Sequence, residues 1–366
     1  MIKIFYDHQK FSTQKYGGIS RYFASLIGDI KHQDEFEYIL GVLYSDNQYI
    51  KNEPLRFQNS IAQKLMKFRD GQYKYLLNSK YCEYLLKNNK FDIFHPTYYD
   101  PYFLGKLKRK LVTTVHDMTY ERLPEYFWSG DQLTLQKRIS MENADKIIAI
   151  SETTKNDILS LTDIKEERIE VIYHGIDLDT PSIYQEIKGL PDQYLLFVGD
   201  RSGYKNFYLF MNAYKIISQK DPDIKVIITG GGGLGTGEIE FLKRLQLDSL
   251  VTHINASDSE LNYLYNKALL FVYPSLYEGF GLPILEAFKA RCPILLSDIS
   301  CFREVADDSA AFFDPHSLVD LSNMLEKLIY NKQSRMDLVT KGEEKLLKYS
   351  LTESMQRTLN LYKELL

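Results

Sequence analysis

The chain has 366 residues, enough for two domains that each bury a core, and 44% of them are hydrophobic, the ordinary share of a folded protein. Its 45 basic and 49 acidic side chains leave a formal net charge of −4, without the basic bias of a dedicated nucleic-acid binder. The three cysteines, Cys82, Cys292 and Cys301, lack metal-ligand spacing and argue against a disulfide scaffold or a zinc site.

From the amino terminus, IKIFYD (2–7) reads as a strand, Gly17-Gly18 as a loop end, and ISRYFASLIGDI as a helix. FEYILGVLYS, FDIFHPTYY, LVTTVHDM, DKIIAIS and IEVIYHGI follow as strands, with helical patterns between most of them. The longest helical pattern covers roughly 60–88, and its tyrosines read as packing residues. Regularity stops near Asp177, where LDTPSIYQEIKGLPDQ carries Pro181, Gly189 and Pro191 and reads as a linker. Alternation then resumes with YLLFVGD, KVIITG, VTHIN, LLFVYPS, PILLSD and AAFFD, and the last stretch is helical only. Short strands alternating with helices build parallel sheets covered on both faces, so the predicted class is α/β, with two Rossmann-like domains in tandem. The expected boundaries are 1–178, a linker over 179–192, 193–345, and a carboxyl-terminal helix over 346–366 that packs back on the first domain. Such sheets bind ligands at the carboxyl ends of their strands, which predicts a cleft where the two sheets face each other.

The opening MIKIFYDHQKF has no signal-peptide core, and no apolar run approaches the ~20 residues of a membrane span. The expectation is a cytoplasmic protein whose membrane contact is peripheral, at the inner face of the cell membrane. Lys64, Lys67, Arg69, Lys74, Lys80 and Lys87, and the run Lys106–Lys110, read either as solvated surface or as a docking face for anionic lipid.

The chemistry concentrates in YPSLYEGFGLPILEAFKARCPILLSD (273–298). A strand runs out at Pro274-Ser275, Glu278 sits in the loop, and Gly279-Phe280-Gly281 precede a helix beginning near Leu282-Pro283. Proline suits a first helical turn, where its missing N–H has no partner to lose. The free amides of a helix N-terminus seat phosphate, and glycines allow close backbone approach. Glu286 follows about one turn into the helix. Singly, a loop acid and a helix acid are ordinary; the whole string points to a ligand.

This string resembles glycosyltransferase family four, retaining enzymes of GT-B architecture in which two Rossmann-like domains face each other across a cleft. Their hallmark, a Glu, seven residues and a second Glu in the context E-G-F-G-L-P-x-x-E, is intact from Glu278 to Glu286. The resemblance implies that Glu278 contacts the donor sugar, that the backbone of Gly279, Phe280, Gly281 and Leu282 meets sugar and phosphate, and that Glu286 binds the ribose. It also implies a basic pair in FVGDRSGYKNF (197–207), where Arg201 and Lys205 would clamp a diphosphate. Lys205 transfers directly; Arg201 depends on loop length. His116 in LVTTVHDM matches the strand-end histidine that approaches the donor sugar, while Asp117 either orients that imidazole or caps the next turn. Gly17 and Gly18 match a glycine loop near the donor phosphate.

Gly230, Gly232 and Gly235 form a G-x-G-x-x-G, but after a later strand of the second half, which speaks against an NAD-dependent oxidoreductase. Asp177-Leu178-Asp179 and Asp221-Pro222-Asp223 are D-x-D patterns at the linker and at a turn, and no metal is predicted. The resulting expectation is a metal-independent hexosyltransferase with no cofactor. It would move a sugar from a nucleoside-diphosphate sugar, GDP-mannose, to a saccharide or polyisoprenyl-linked hydroxyl in surface-polysaccharide synthesis. UDP-sugar donors, a nucleotide-sugar epimerase, a phosphorylase, a non-catalytic sugar-nucleotide-binding module and, on the glycine run, an NAD-dependent oxidoreductase are the alternatives.

Overall fold

A computed structural model of the chain describes residues 1–55, 64, 66 and 68–366. Contacts divide it into two compact units. One comprises Met1–Glu121, Ser129–His174 and Thr352–Leu366; the other comprises Arg122–Trp128 and Gly175–Leu351.

The first unit holds β1 (Ile2–Tyr6), α1 (Gln9–Thr13), α2 (Gly18–Ile30), β2 (Phe36–Leu40), α3 (Gly71–Asn88), β3 (Ile93–His95), β4 (Lys110–Val115), α4 (Thr119–Arg122), α5 (Leu133–Asn143), β5 (Lys146–Ala149), α6 (Glu152–Leu161) and β6 (Ile169–Val171). Its strands pair in the order β2-β1-β3-β4-β5-β6, all parallel. Phe5, Phe94 and Phe103 interlock edge to face at 5.0 and 4.7 Å in its core. Of the helix predicted over roughly 60–88, Gly71–Asn88 is observed, with Asp70 accepting from Tyr73 N–H at its start and Asn89 ending it at φ +48. Residues 56–63, 65 and 67, including Lys67, lie outside the described residues.

The second unit holds β7 (Tyr194–Val198), α7 (Phe207–Lys220), β8 (Lys225–Thr229), α8 (Thr236–Arg244), β9 (Val251–Ile254), α9 (Asp258–Lys267), β10 (Leu270–Tyr273), α10 (Leu282–Lys289), β11 (Ile294–Ser297), α11 (Ser300–Ala306), β12 (Ala311–Phe313), α12 (Leu318–Tyr330) and α13 (Lys332–Leu346). Its order is β12-β11-β10-β7-β8-β9, again parallel throughout. The central strands β7, β8, β10 and β11 are apolar and buried on both faces, as parallel sheets under helices require. The last helix, α14 (Leu351–Glu364), carries Tyr362 into the first unit's core, where its hydroxyl meets Tyr6 Oη at 3.1 Å and His95 Nδ1 at 2.6 Å.

Residues 177–193 contain no helix or strand. They are tied to the second unit by Gln185 N–H to the Ser259 carbonyl (3.0 Å) and by Lys289, whose ammonium donates to the carbonyls of Asp177 and Thr180.

In each sheet the chain order reverses once. In the second, β7 leads outward to β8 and β9, and the chain then returns to lay β10 along β7's other side. The loops after β7 and β10 therefore flank a crevice at the carboxyl edge, where an open α/β sheet binds ligand. In the first sheet the corresponding strands are β1 and β3.

Candidate active site

The two loops at the second sheet's crevice meet through a mostly buried ion pair. After β7 the chain makes a 3₁₀ turn, Gly203–Lys205, stopped by Asn206 at φ +58. After β10 it runs through Ser275 to Glu278. Lys205 Nζ donates to Glu278 Oε1 at 2.5 Å, and Ser275 Oγ donates to the same oxygen at 2.7 Å. The side chains of Lys205 and Glu278 retain 12% and 14% exposure. Burial alone would lower the lysine's pKa, but the Glu278 charge beside it outweighs burial and holds it raised. Lys205 is thus a fixed cation in a mostly dry place.

The loop after Glu278 delivers α10. Gly281 sits at φ +98, and a Cβ there would lie 3.0 Å from Ile284 and 3.2 Å from Phe302, so only glycine enters the helix this way. Pro283 occupies the first turn. Glu286, half-buried one turn on, has the Tyr265 hydroxyl 3.5 Å from its Oε2. Gly279 and Phe280 are buried between the two glutamates, and Cys301 Sγ donates to the Phe280 carbonyl at 3.1 Å.

Arg201 does not stand free beside Lys205 as the expected diphosphate clamp: its side chain is only 4% exposed and its donors face protein groups. Nε donates to Glu238 at 2.7 Å, Nη1 to the Gly230 carbonyl at 2.9 Å, and Nη2 to those of Gly231, Gly232 and Gly233 at 3.0–3.4 Å. Gly230, Gly231 and Gly232 all have positive φ, which turns successive carbonyls onto one guanidinium. The glycine run is therefore a cradle for an internal cation, and Glu238, which also accepts from Gly235 N–H at 2.6 Å, fixes the start of α8. Both D-x-D patterns fold onto their own backbone. Asp177 accepts from Asp179 and Thr180 N–H, and Asp221 accepts from Asp223 N–H.

In the first unit His116 follows β4. It is buried, its backbone N–H donates to Tyr99 Oη at 2.9 Å, and its Nδ1 has no hydrogen-bond partner among the described residues. Burial, then the neighbouring His174, Lys10, His95 and Lys137, hold its pKa well below the usual imidazole value, so the ring is neutral. His174 stacks on it at 5.7 Å. Asp117 caps the next turn, accepting from Thr119 N–H at 3.0 Å, while the buried Lys137 donates to the Asp117 carbonyl and to Glu121, each at 2.9 Å. Gly17 caps α2 and Gly18 opens it. One of that helix's amides, Ser20 N–H, is taken by Gln14 Oε1 at 3.2 Å.

A family model described as "Glycosyltransferase Family 4" matches residues 16–180, and one described as "Glycosyl transferases group 1" matches residues 183–345. The chain belongs to glycosyltransferase family four. Its relatives include the O-antigen chain mannosyltransferase B of Escherichia coli, 26% identical over 79% of this chain and 78% of that protein. Another is the O-antigen chain mannosyltransferase RfbU of Salmonella typhimurium, 28% identical over 69% of each. The fold is that of the GT-B structure of Anabaena Alr3699/HepE in complex with UDP and glucose, with a TM-score of 0.72 at 16% identity over the whole of both chains.

Several groups of this glycosyltransferase's crevices gave no sequence signal. Ser275 is buried and orients Glu278, yet it reads as a strand-end serine. Lys10 lies 3.3 Å over the Tyr98 ring, and burial, opposed by Asp117, lowers its pKa to about 8. Asp7 locks the β1–β3 crevice by accepting from Thr97 N–H and Oγ1 at 2.8 and 2.7 Å. Each depends on a partner ~90 or more residues away or on burial that only the fold creates. The run Lys106–Lys110 is partly spent, with Lys106 on Glu83 at 3.3 Å and Lys110 on Asp145 at 2.9 Å.

Proposed function

We propose that this enzyme transfers mannose from GDP-mannose to a hydroxyl of a saccharide or lipid-linked saccharide in surface-polysaccharide assembly, without metal or cofactor and with retention at the anomeric carbon. The observation that carries the reading is the Lys205–Glu278 pair, set at the sheet's switch point beside the N-terminus of α10. A cation and a helix N-terminus together suit a diphosphate, and a fixed carboxylate beside them suits sugar hydroxyls. The mannosyltransferase relatives favour mannose as the sugar and a surface polysaccharide as the product.

In this mechanism the bond from the anomeric carbon to the diphosphate breaks as the acceptor oxygen bonds to the same face. The acceptor proton passes to the departing phosphate oxygen. Lys205 and the amides of Gly279–Leu282 stabilise the leaving diphosphate, Glu278 holds the sugar as positive charge develops, and Glu286 binds the ribose. His116, Gly17 and Gly18 of the first unit keep the roles that the family resemblance implies for them. Arg201 acts through the glycine loop. Calorimetry with GDP-, UDP- and dTDP-sugars, followed by NMR of the product's anomeric configuration in EDTA, tests the whole reading. Tight binding only of UDP- or dTDP-sugars refutes the donor, an inverted product refutes retention, and loss of activity restored by manganese refutes metal independence.

A second element of the reading is peripheral contact with anionic lipid. No helix among the described residues is long and apolar enough to cross a membrane. On α3, the exposed Tyr73, Leu76 and Tyr84 share one stripe with Lys80 and Lys87, so aromatic, aliphatic and basic groups reach solvent together there.

A further inference from the structure

The turn that carries Lys205 has little to hold it from within, since three residues of 3₁₀ helix form a weak element. Its neighbours fix it. Leu276 N–H donates to the Tyr204 carbonyl at 2.8 Å, and Asn206 Nδ2 donates to the Pro315 carbonyl at 2.8 Å. The third support is Arg122–Trp128, a segment that belongs to the second unit although the chain on both sides of it belongs to the first. Pro124–Tyr126 forms a single 3₁₀ turn, closed by Phe127 N–H on the Pro124 carbonyl at 3.2 Å. The Tyr126 ring lies against Gly203 so closely that a Cβ there would be 2.6 Å from it. Phe127 packs on Tyr204 at 5.6 Å between centroids, and the Tyr204 ring lies 5.0 Å from Lys205 Nζ. Two consecutive rings thus rest on two consecutive residues of the turn, and the next residue is Lys205.

We propose that Arg122–Trp128 is a positioning element of the donor site. Its rings hold the Gly203–Lys205 turn so that the Lys205 ammonium stays on Glu278, and position 203 is glycine because Tyr126 fills the space a side chain would need. The inference rests on the reading of Lys205 as a donor-diphosphate ligand. A lysine ammonium on a long stem is only as well placed as its backbone, and charged groups act fully on a ligand only when held within about 0.5 Å.

The test uses the full chain, with GDP, UDP and dTDP titrated into wild type and the tightest carried forward. Tyr126→Ala should raise its dissociation constant and lower kcat/KM about two- to tenfold, the worth of one aromatic contact. Tyr126→Phe should restore both, because the ring and not the hydroxyl makes the contact. Gly203→Ala should reproduce the loss in wild type but add nothing in the Tyr126→Ala background, where the ring it displaces is already gone. Wild-type binding and turnover in Tyr126→Ala, or additive effects of the two changes, would overturn the proposal. Lys205→Met run alongside separates the two levels. If it leaves nucleotide binding unchanged, the donor-site reading itself fails; if it weakens binding while Tyr126→Ala does not, only the positioning role fails.

Discussion

Removing Lys205 should have two consequences that can be pulled apart. Its ammonium donates to Glu278 at 2.5 Å with both side chains about seven-eighths buried. Deleting one member of a fully buried pair costs about 3–5 kcal/mol because the other charge is stranded. Here Ser275 still donates to Glu278 and some solvent reaches the site, so about 2–3 kcal/mol is the working figure for Lys205→Met. For a unit of this size that lowers the unfolding temperature by roughly 4–12 °C. Lys205→Met/Glu278→Gln removes both charges and should regain most of that loss. Binding behaves differently. If Lys205 makes a charge-assisted bond to a donor phosphate worth about 1.5–3 kcal/mol, the nucleoside diphosphate binds roughly 10- to 150-fold more weakly in Lys205→Met. The double variant cannot recover this. Differential scanning calorimetry and titration calorimetry on the two single variants and the double variant measure both quantities. A double variant that binds nucleotide like wild type would refute the argument, because Lys205 would then be only the counter-ion of Glu278.

Glu286→Gln should raise the dissociation constant for the nucleoside diphosphate, whereas Glu278→Gln should spare it and lower kcat, because the sugar contact matters most as positive charge develops; the reverse pattern in calorimetry and initial rates means the donor lies the other way along α10. Arg201→Ala should act on the fold first, lowering the unfolding temperature by roughly 5–15 °C and speeding amide exchange over Gly230–Gly235, since it strands Glu238 and four carbonyls; unchanged exchange there would show that the guanidinium does not hold the loop. His95 and His174 are pushed down from 6.5 to about 3 by burial, so the unfolded chain binds their protons first as pH falls. Stability should be full above pH 6.5 and fall by up to ~1.4 kcal/mol per pH unit per histidine below it, and an unfolding temperature that stays flat from pH 7.5 to 5 would contradict this. Liposome flotation should show more binding to anionic than to neutral vesicles, reduced by Tyr73→Ser/Tyr84→Ser; equal binding to both lipids counts against a docking face on α3.

The sequence by itself determined the α/β class and the place of the Glu278–Glu286 string at the end of one strand and the start of the next helix. Among the described residues the strands fall inside the short apolar stretches of the sequence to within a residue, because a central strand of a parallel sheet is apolar on both faces and so announces itself locally. Glu278, Gly281, Pro283 and Glu286 were legible for a similar reason: one strand, one loop and one helix carry them all within a few residues. Tertiary structure alone decided what depends on distant partners. Arg201 and Lys205 lie in one loop and look like a matched pair of cations, yet Gly230–Gly233 and Glu238 claim the first, and Glu278 holds the second. Asp117 caps the turn at Thr119, and the distant Lys137 donates to its carbonyl, a contact the local string does not show. The support of the Lys205 turn by Tyr126 and Phe127 was likewise invisible, since about 77 residues separate rings from turn and no period or motif marks a contact across such a span. Charge and polarity are properties of a residue; whether a charge is spent or available is a property of what the fold packs against it.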